Sequence, residues 1–155
     1  MSGPTPRIRA WRAAYRAAWV VRRGVRLLPW PHMNGAMAAV WCDGQVLLVQ
    51  NSYNDFWSMP GGRLNAGEDY RQAAARELHE ETGVIVDAGD LAFVHGEFLG
   101  HVLRRDRVEI FAVDVERRPK VTPEPVEIAA TRWATPHEAM GLPLFGPTRR
   151  YLQSL

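Results

Sequence analysis

The stretch GGRLNAGEDYRQAAARELHEETGV, residues Gly61 to Val84, decides how this chain is read. Residues 68–82 within it predict a helix. Gly67 precedes it, Glu68 and Asp69 fall in its first turn, where negative charge suits the helix dipole, and Gly83 stops it. Ala74 and Leu78 form its inward pair at i and i+4. Glu77, Glu80 and Glu81 share another face, because spacings of three and four bring helical side chains together. Like charges so placed weaken a bare helix, but a divalent cation among them reverses that effect. Oxygen-only ligands favour Mg²⁺, Mn²⁺ or Ca²⁺ over zinc, and Mg²⁺ commonly sits between a few carboxylates and substrate phosphates. A lone Glu-x-x-Glu-Glu is more often a solvated acidic face, so the flanking residues carry the decision.

Upstream, residues 36–41 and 45–50 read as two strands joined at Asp43-Gly44, a hairpin signal because a type I′ turn needs positive φ. Val46-Leu47-Leu48-Val49 is a continuous apolar run, the pattern of a strand buried on both faces. A loop with Tyr53, Phe56 and Trp57 follows, then Pro60-Gly61-Gly62. Downstream, strands are expected near 91–99, 107–115 and 128–134, with short helices over 136–140 and 147–154. The alternation implies a mixed α/β fold in which helices cover a sheet. No internal repeat or low-complexity segment interrupts it.

The chain has 155 residues, enough for one ordinary domain with its own core. Its one cysteine, Cys42, excludes an intramolecular disulfide framework and a cysteine-cluster zinc site, and suits a reducing, cytoplasmic compartment. No apolar run reaches the length of a membrane span or a cleaved leader. Net charge is +2, unevenly spread. Residues 1–28 carry seven arginines and no acid, which leaves 12 basic and 17 acidic residues in the remainder. A basic arm therefore precedes an acidic body.

Gly62, Glu68, Arg76, Glu77, Leu78, Glu80, Glu81, Gly83 and Val84 stand in one fixed pattern. It runs Gly, five residues, Glu, seven residues, Arg-Glu-apolar, one residue, Glu-Glu, one residue, Gly-apolar. At average residue usage such a set arises by chance on the order of once in a billion start positions. On these residues the chain resembles the Nudix hydrolase family, with every fixed position of the Nudix box met. The likeness extends loosely to Trp57–Gly62 and to Glu127–Trp133, and residues 1–30 fall outside it.

The resemblance implies a Nudix-type α/β/α sandwich with a mixed sheet over residues 31–155; the residues before it read by themselves as a basic amphipathic helical extension over 1–30. It implies Mg²⁺- or Mn²⁺-dependent hydrolysis of a phosphoanhydride bond in a small-molecule nucleotide, a nucleoside diphosphate linked to another group, by attack of a metal-activated water. Glu80 and Glu81 then bind metal, Glu77 is a ligand or the general base, and the Gly61 carbonyl completes the shell. Arg76 orients these carboxylates by ion pairing, with Glu68 as a partner. A further carboxylate from outside the box is expected: Glu127 first, then Glu97, Asp106 and Glu109. Gly61 and Gly62 let backbone approach phosphate closely.

Tyr53, Phe56 and Trp57 offer rings to a nucleobase, although loop packing explains them as well. His95 and His101 flank the loop between two strands, where a surface role is the plainer reading. Trp133 reads as core, and Cys42 needs no chemical role. Downstream of the box, Gly100 stands where an ADP-sugar branch has proline, and no tyrosine near Val102 marks a dinucleoside polyphosphate branch. The bond type is thus legible and the molecule is not.

Residues 7–27 predict a helix with Ile8, Trp11, Tyr15 and Trp19 on one stripe, ended by Leu28-Pro29-Trp30-Pro31. That stripe argues against disorder. It leaves packing on the same domain, a homodimer contact, an anionic membrane surface, or nucleic acid and other acidic partners. Three other functions compete with hydrolysis of a small nucleotide. A non-catalytic binding module of this fold usually lacks box glutamates, and none is missing here. An isoprenyl diphosphate isomerase needs a reactive cysteine, for which Cys42 is poorly placed. An RNA 5′-end pyrophosphohydrolase stays open because the basic arm suits a polyanion.

Overall fold

Asp43 and Gly44 adopt φ values of 51° and 70°, so the expected tight turn forms between β1 (Gly35–Cys42) and β2 (Gln45–Asn51). The computed structural model describes residues 5–24, 34–99 and 106–155. The two strands pair only next to the turn, Trp41 with Val46 and Cys42 with Gln45. Beyond that they part, and the segment after β2 enters the fork. Its first half, β3 (Trp57–Ser58), adds to β2; its second, β4 (Gly61–Arg63), adds to β1. Met59 and Pro60 lie buried between them, and the Pro60 carbonyl accepts the Ala38 N–H at 2.8 Å. The sequence predicts a plain loop here; alternating polar and apolar residues are too few to reveal two-residue strands.

The other three strands are β5 (Ala92–Leu99), β6 (Asp106–Asp114) and β7 (Ile128–Ala134). β6 runs parallel to β1, with Gly35 opposite Val108 and Trp41 opposite Asp114. β5 pairs antiparallel with β6, and β7 antiparallel with β2. The sheet is therefore mixed, and its order is β3-β2-β1-β6-β5 with β4 and β7 on the remaining edges of β1 and β2.

Helices cover both faces. Ala36, Ala38, Val40 and Leu47 pack with Ala73, Ala74 and Leu78 of α2 (Tyr70–Thr82). Met37, Ala39, Val46 and Leu48 pack with α3 (Pro136–Met140) and α4 (Gly146–Gln153) through Ala139, Tyr151 and Leu152. The period-two alternation of β1 thus feeds two cores, and Val46 to Val49 are fully buried as the apolar run requires. Trp133 packs against the α2 core. α2 starts two residues later than the sequence implies. Asp69 is its N-cap: the Asp69 carboxylate accepts the Gln72 N–H at 2.8 Å, and the Gln72 side chain accepts the Asp69 N–H at 3.1 Å. Gly83 ends the helix at φ 71° and donates to the His79 carbonyl.

The expected N-terminal helix is α1 (Pro6–Gly24). On it Ile8 is half-buried, whereas Trp11 is 58% exposed. The side chains of Tyr15 and Trp19, and the stop at Leu28 to Pro31, lie outside the described residues. No helix among the described residues is long and apolar enough to cross a membrane.

Met59 is the apolar wedge of the fork, fully buried. Met59→Ala is expected to cost about 2–5 kcal/mol of unfolding free energy in urea titrations. A loss below about 1 kcal/mol would show that the fork closes without it.

Candidate active site

The box places one guanidinium among three carboxylates. Arg76 Nε and Nη2 donate to the two Glu68 oxygens at 2.8 and 3.0 Å, and Nη2 also to the Arg63 carbonyl at 2.8 Å. Nη1 donates to Glu77 Oε1 at 2.8 Å and to Glu80 Oε2 at 3.0 Å. All five N–H groups of the side chain are used. These partners hold Arg76 more firmly protonated than usual, and the Arg76 hydrogen bond draws the Glu68 carboxyl below its ordinary range. The expected orienting role of Arg76, with Glu68 as partner, thus has a geometry to match.

Glu77 lies against the backbone of β4. A Cβ on Gly62 would fall 2.4–2.7 Å from the Glu77 carboxylate, so a side chain there displaces it. Gly61 is tighter still: its Cβ would meet the Ala36 carbonyl oxygen at 2.3 Å and Met37 Cα at 2.7 Å. Glu81 is buried at 4% exposure. One of its oxygens accepts the Gly61 N–H at 3.0 Å, the other the Asn51 side-chain amide at 3.4 Å. Burial pushes the Glu81 carboxyl up to about 8, with Glu77 and Glu127 adding to the effect against the Gly61 hydrogen bond. Burial also raises Glu77, against the pull of Arg76. Glu127, half-buried just before β7, is raised by burial and then by Glu124, Glu77 and Glu80. Glu80 is the exposed member, with 55% of its side chain open.

The other expected carboxylates go elsewhere. Glu97 forms a two-pronged ion pair with Arg150 of α4, at 2.5 and 2.8 Å. Glu109 pairs with Arg107 at 2.7 Å. Asp106 lines the cleft described next. Glu97 and Glu109 are thus engaged by arginines, whereas Glu127 couples to Glu77 and Glu80.

Gly61 and Gly62 open onto a cleft of about 290 Å³, lined also by Asn51, Tyr53, Phe56, Arg63 and Phe145. Tyr53 and Phe56 thus lie in the wall of this cleft. Trp57 is not among the lining residues. It packs against the core on the α4 side, and its backbone bonds Pro143 and Phe145 at 2.8 Å each. As part of β3 it belongs to the sheet. His95 sits within β5, not on a loop. Its Nε2 is buried without a hydrogen-bond partner, and its ring lies 6.4 Å from that of Tyr151. His101 lies outside the described residues. Asn51 escaped the sequence reading; a polar residue closing a buried apolar strand was its one signal.

Three carboxylates pushed toward protonation, those of Glu77, Glu81 and Glu127, and oxygen as the sole donor type, fit a hard divalent cation. As they stand, no three His, Cys, Asp or Glu side chains among the described residues converge as metal ligands. Arg76 holds Glu77 and Glu80, while Gly61 and Asn51 hold Glu81. Loading a cation therefore means trading these partners for it.

Comparison with known proteins gives a family match and several relatives. Residues 31–154 match the family model for the NUDIX domain. A protein named octanoyltransferase from Myxococcus xanthus is 47% identical over 77 residues, 47% of this chain, but the chain spans only 22% of that protein. Phosphatase NudJ of Escherichia coli K12 is 29% identical over 116 residues, covering 71% of this chain and 72% of NudJ. Among solved structures, the MutT NUDIX hydrolase of Burkholderia pseudomallei superposes with a TM-score of 0.70 at 20% identity, over 81% of this chain and 99% of that one. The NUDIX domain of Shewanella oneidensis NrtR, complexed with ADP ribose, gives 0.67 at 16% identity, over 88% and 94%.

Two outcomes follow from the geometry. In EDTA, folded Glu81 keeps its proton up to about pH 8 whereas an unfolded glutamate loses it near 4.5. The folded state then binds more protons between those values, so stability falls as pH rises through that window. Glu77 and Glu127 act in the same direction. Glu81→Gln is expected to flatten the decline and to melt above the parent chain at pH 8, read by thermal unfolding; an unchanged slope would refute the burial argument. Separately, Gly62→Ala is expected to stay folded and lose at least about tenfold in turnover, because it moves the Glu77 carboxylate. Full turnover by this variant would remove Glu77 from the chemistry.

Proposed function

The chain belongs to the Nudix family of hydrolases acting on acid anhydrides, and we propose that it cleaves a phosphoanhydride bond in a nucleoside diphosphate-linked small molecule with Mg²⁺ or Mn²⁺ as cofactor. One observation carries this reading: the Glu77 and Glu81 carboxylates lie against Gly62 and Gly61 at the corner of an open cleft, and Glu127 is close enough to couple electrostatically to both. An acidic cluster that strains against itself fits a site built for a cation.

When bound, the cation supplies neutralisation of the polyphosphate and acidity for an attacking water. Glu80, Glu81, Glu127 and the Gly61 carbonyl hold it. Glu77 holds it as well or accepts the proton of the water, and its contact with Gly62 keeps it beside the phosphate path. Arg76 positions Glu77 and Glu80, the carboxylates that would turn toward a cation. The absent side chain of Gly62 lets phosphate oxygens approach the backbone. Tyr53 and Phe56 present ring faces to the base in the cleft. A nucleotide-derived substrate agrees with the phosphatase name of NudJ and with the ADP ribose bound by the NrtR domain. A reducing cytoplasm suits the free, buried Cys42.

The test is release of phosphate and pyrophosphate from a panel: nucleoside triphosphates, nucleotide sugars, dinucleoside polyphosphates and 5′-triphosphate RNA. Turnover of one class with Mg²⁺, abolished by EDTA and reduced at least about a hundredfold in Glu80→Gln and Glu81→Gln, is the expected result. Silence across the panel with Mg²⁺ and with Mn²⁺, from folded protein, would sink the catalytic assignment.

A further inference from the structure

The turn that delivers Glu127 is unusual in how completely its backbone is used. Five residues, Glu124 to Ile128, bring the chain into β7. The Glu124 N–H donates to the Glu81 carbonyl at 3.0 Å, which ties the turn to the end of α2. The Glu124 carboxylate accepts the N–H groups of Val126 and Glu127 at 2.9 and 2.6 Å, and its carbonyl accepts that of Ile128 at 2.9 Å. Ser52 contributes two more bonds. Its Oγ donates to the Val126 carbonyl and its N–H to the Glu127 carbonyl, both at 2.6 Å.

Two carbonyls remain, those of Pro125 and Ile128, and both go to α1. Arg12 Nε and Nη2 donate to Pro125 at 3.1 and 2.9 Å, and Nη2 also reaches Ile128 at 3.0 Å. One planar guanidinium thus brackets Glu127 from both sides, a geometry that an ammonium cannot reproduce. The neighbouring Trp11 lines a recess together with Glu124, Val126 and Glu127. One turn further along α1, Arg16 pairs with Asp55 at 3.0 Å, on the loop that carries Tyr53 and Phe56. That second pair is exposed and contributes little by itself, but it joins α1 to a loop that lines the main cleft.

We propose that α1 is a working part of the active site and that Arg12 is a positioning residue: it latches the Glu124–Ile128 turn so that the Glu127 carboxylate faces Glu77 and Glu80. The family match begins at residue 31, so α1 lies outside the matched domain and completes that domain's carboxylate cluster. The proposal rests on the reading of Glu127 as a cation ligand. It gives two of the arm's arginines, Arg12 and Arg16, a role within the same chain. A guanidinium on carbonyl oxygens of the turn adds no ligand of its own; it removes the freedom of the one that is there.

The experiment uses the full chain and two readouts, amide hydrogen exchange and Mn²⁺ affinity by titration, on Arg12→Ala, Arg12→Lys, Glu127→Gln and, as a control on the same helix, Arg9→Ala. Arg12→Ala should raise exchange at Val126, Glu127 and Ile128 about tenfold and weaken Mn²⁺ about tenfold, as loss of a group supporting a ligand does. Arg12→Lys should fall between it and the parent, and Arg9→Ala should match the parent. Unchanged exchange at these amides in Arg12→Ala would overturn the latch. Faster exchange with unchanged Mn²⁺ affinity, while Glu127→Gln weakens binding, would overturn the positioning role. If Glu127→Gln leaves Mn²⁺ binding intact while Glu80→Gln abolishes it, Glu127 is no ligand and the proposal falls, with the hydrolase reading standing. Absence of Mn²⁺ binding by the parent chain would overturn both.

Discussion

Repulsion among carboxylates is the constraint around which this molecule is arranged. Glu77, Glu80 and Glu81 stand on one helix, and Glu127 faces them from another segment. Such a group disperses unless something holds it. Arg76 does so with all five of its N–H groups, binding Glu77 and Glu80 while anchoring to Glu68 and the Arg63 carbonyl. Glu68 precedes α2, and Arg63 ends β4, so the same guanidinium also fixes how the chain enters the helix. Glu81 is held differently, by a backbone N–H and an amide in a dry corner, and its raised protonation records that neutral donors compensate a charge less well than a cation does.

That corner exists because of the fork between β1 and β2. Strands joined by a two-residue turn normally stay paired along their length. Here the pairing lasts two residue pairs, and the gap admits Met59 and Pro60, with Gly61 and Gly62 immediately after. The glycines then pass so close to Ala36, Met37 and Glu77 that no side chain fits. Sheet topology and carboxylate geometry are therefore one problem with one solution: opening the hairpin makes the seat, and removing two side chains lets helix α2 press its acids against it.

How much of this was legible in the sequence differs by element. The hairpin was readable from Asp43-Gly44 because positive φ restricts residue choice locally. The two-faced burial of β2 was readable from Val46 to Val49, since unbroken apolar runs have few other uses. The partners of Arg76 followed from helical spacing and the resemblance. The fork did not, because β3 and β4 are too short to show periodicity and depend on long-range pairing. The strand position of Trp57 was hidden for the same reason: its place in β3 is a property of the sheet. The ion pairs that engage Glu97 and Glu109 were not readable, because their partners Arg150 and Arg107 are set by the fold and not by spacing. Asn51, Ser52 and Arg12 were invisible as site residues because their roles are backbone contacts across the chain, and such contacts leave no pattern of residue type.

The mixed sheet also sets an order of events during synthesis. Its central parallel pair joins Gly35 to Val108, and β2 must wait for β7, which brings Ala134 to Val46. Contacts of such long range slow folding, because the intervening loop must be closed before any pairing rewards it. On the ribosome the acidic helix emerges well before β6 and β7. At roughly 5–20 residues per second, a few seconds pass before β6 and β7 can join the sheet and Glu127 is made. A nascent chain in that interval holds the whole box motif and none of the assembled site. The enzyme is in this sense silent until it is nearly finished, and its last-made strand is the one that completes it.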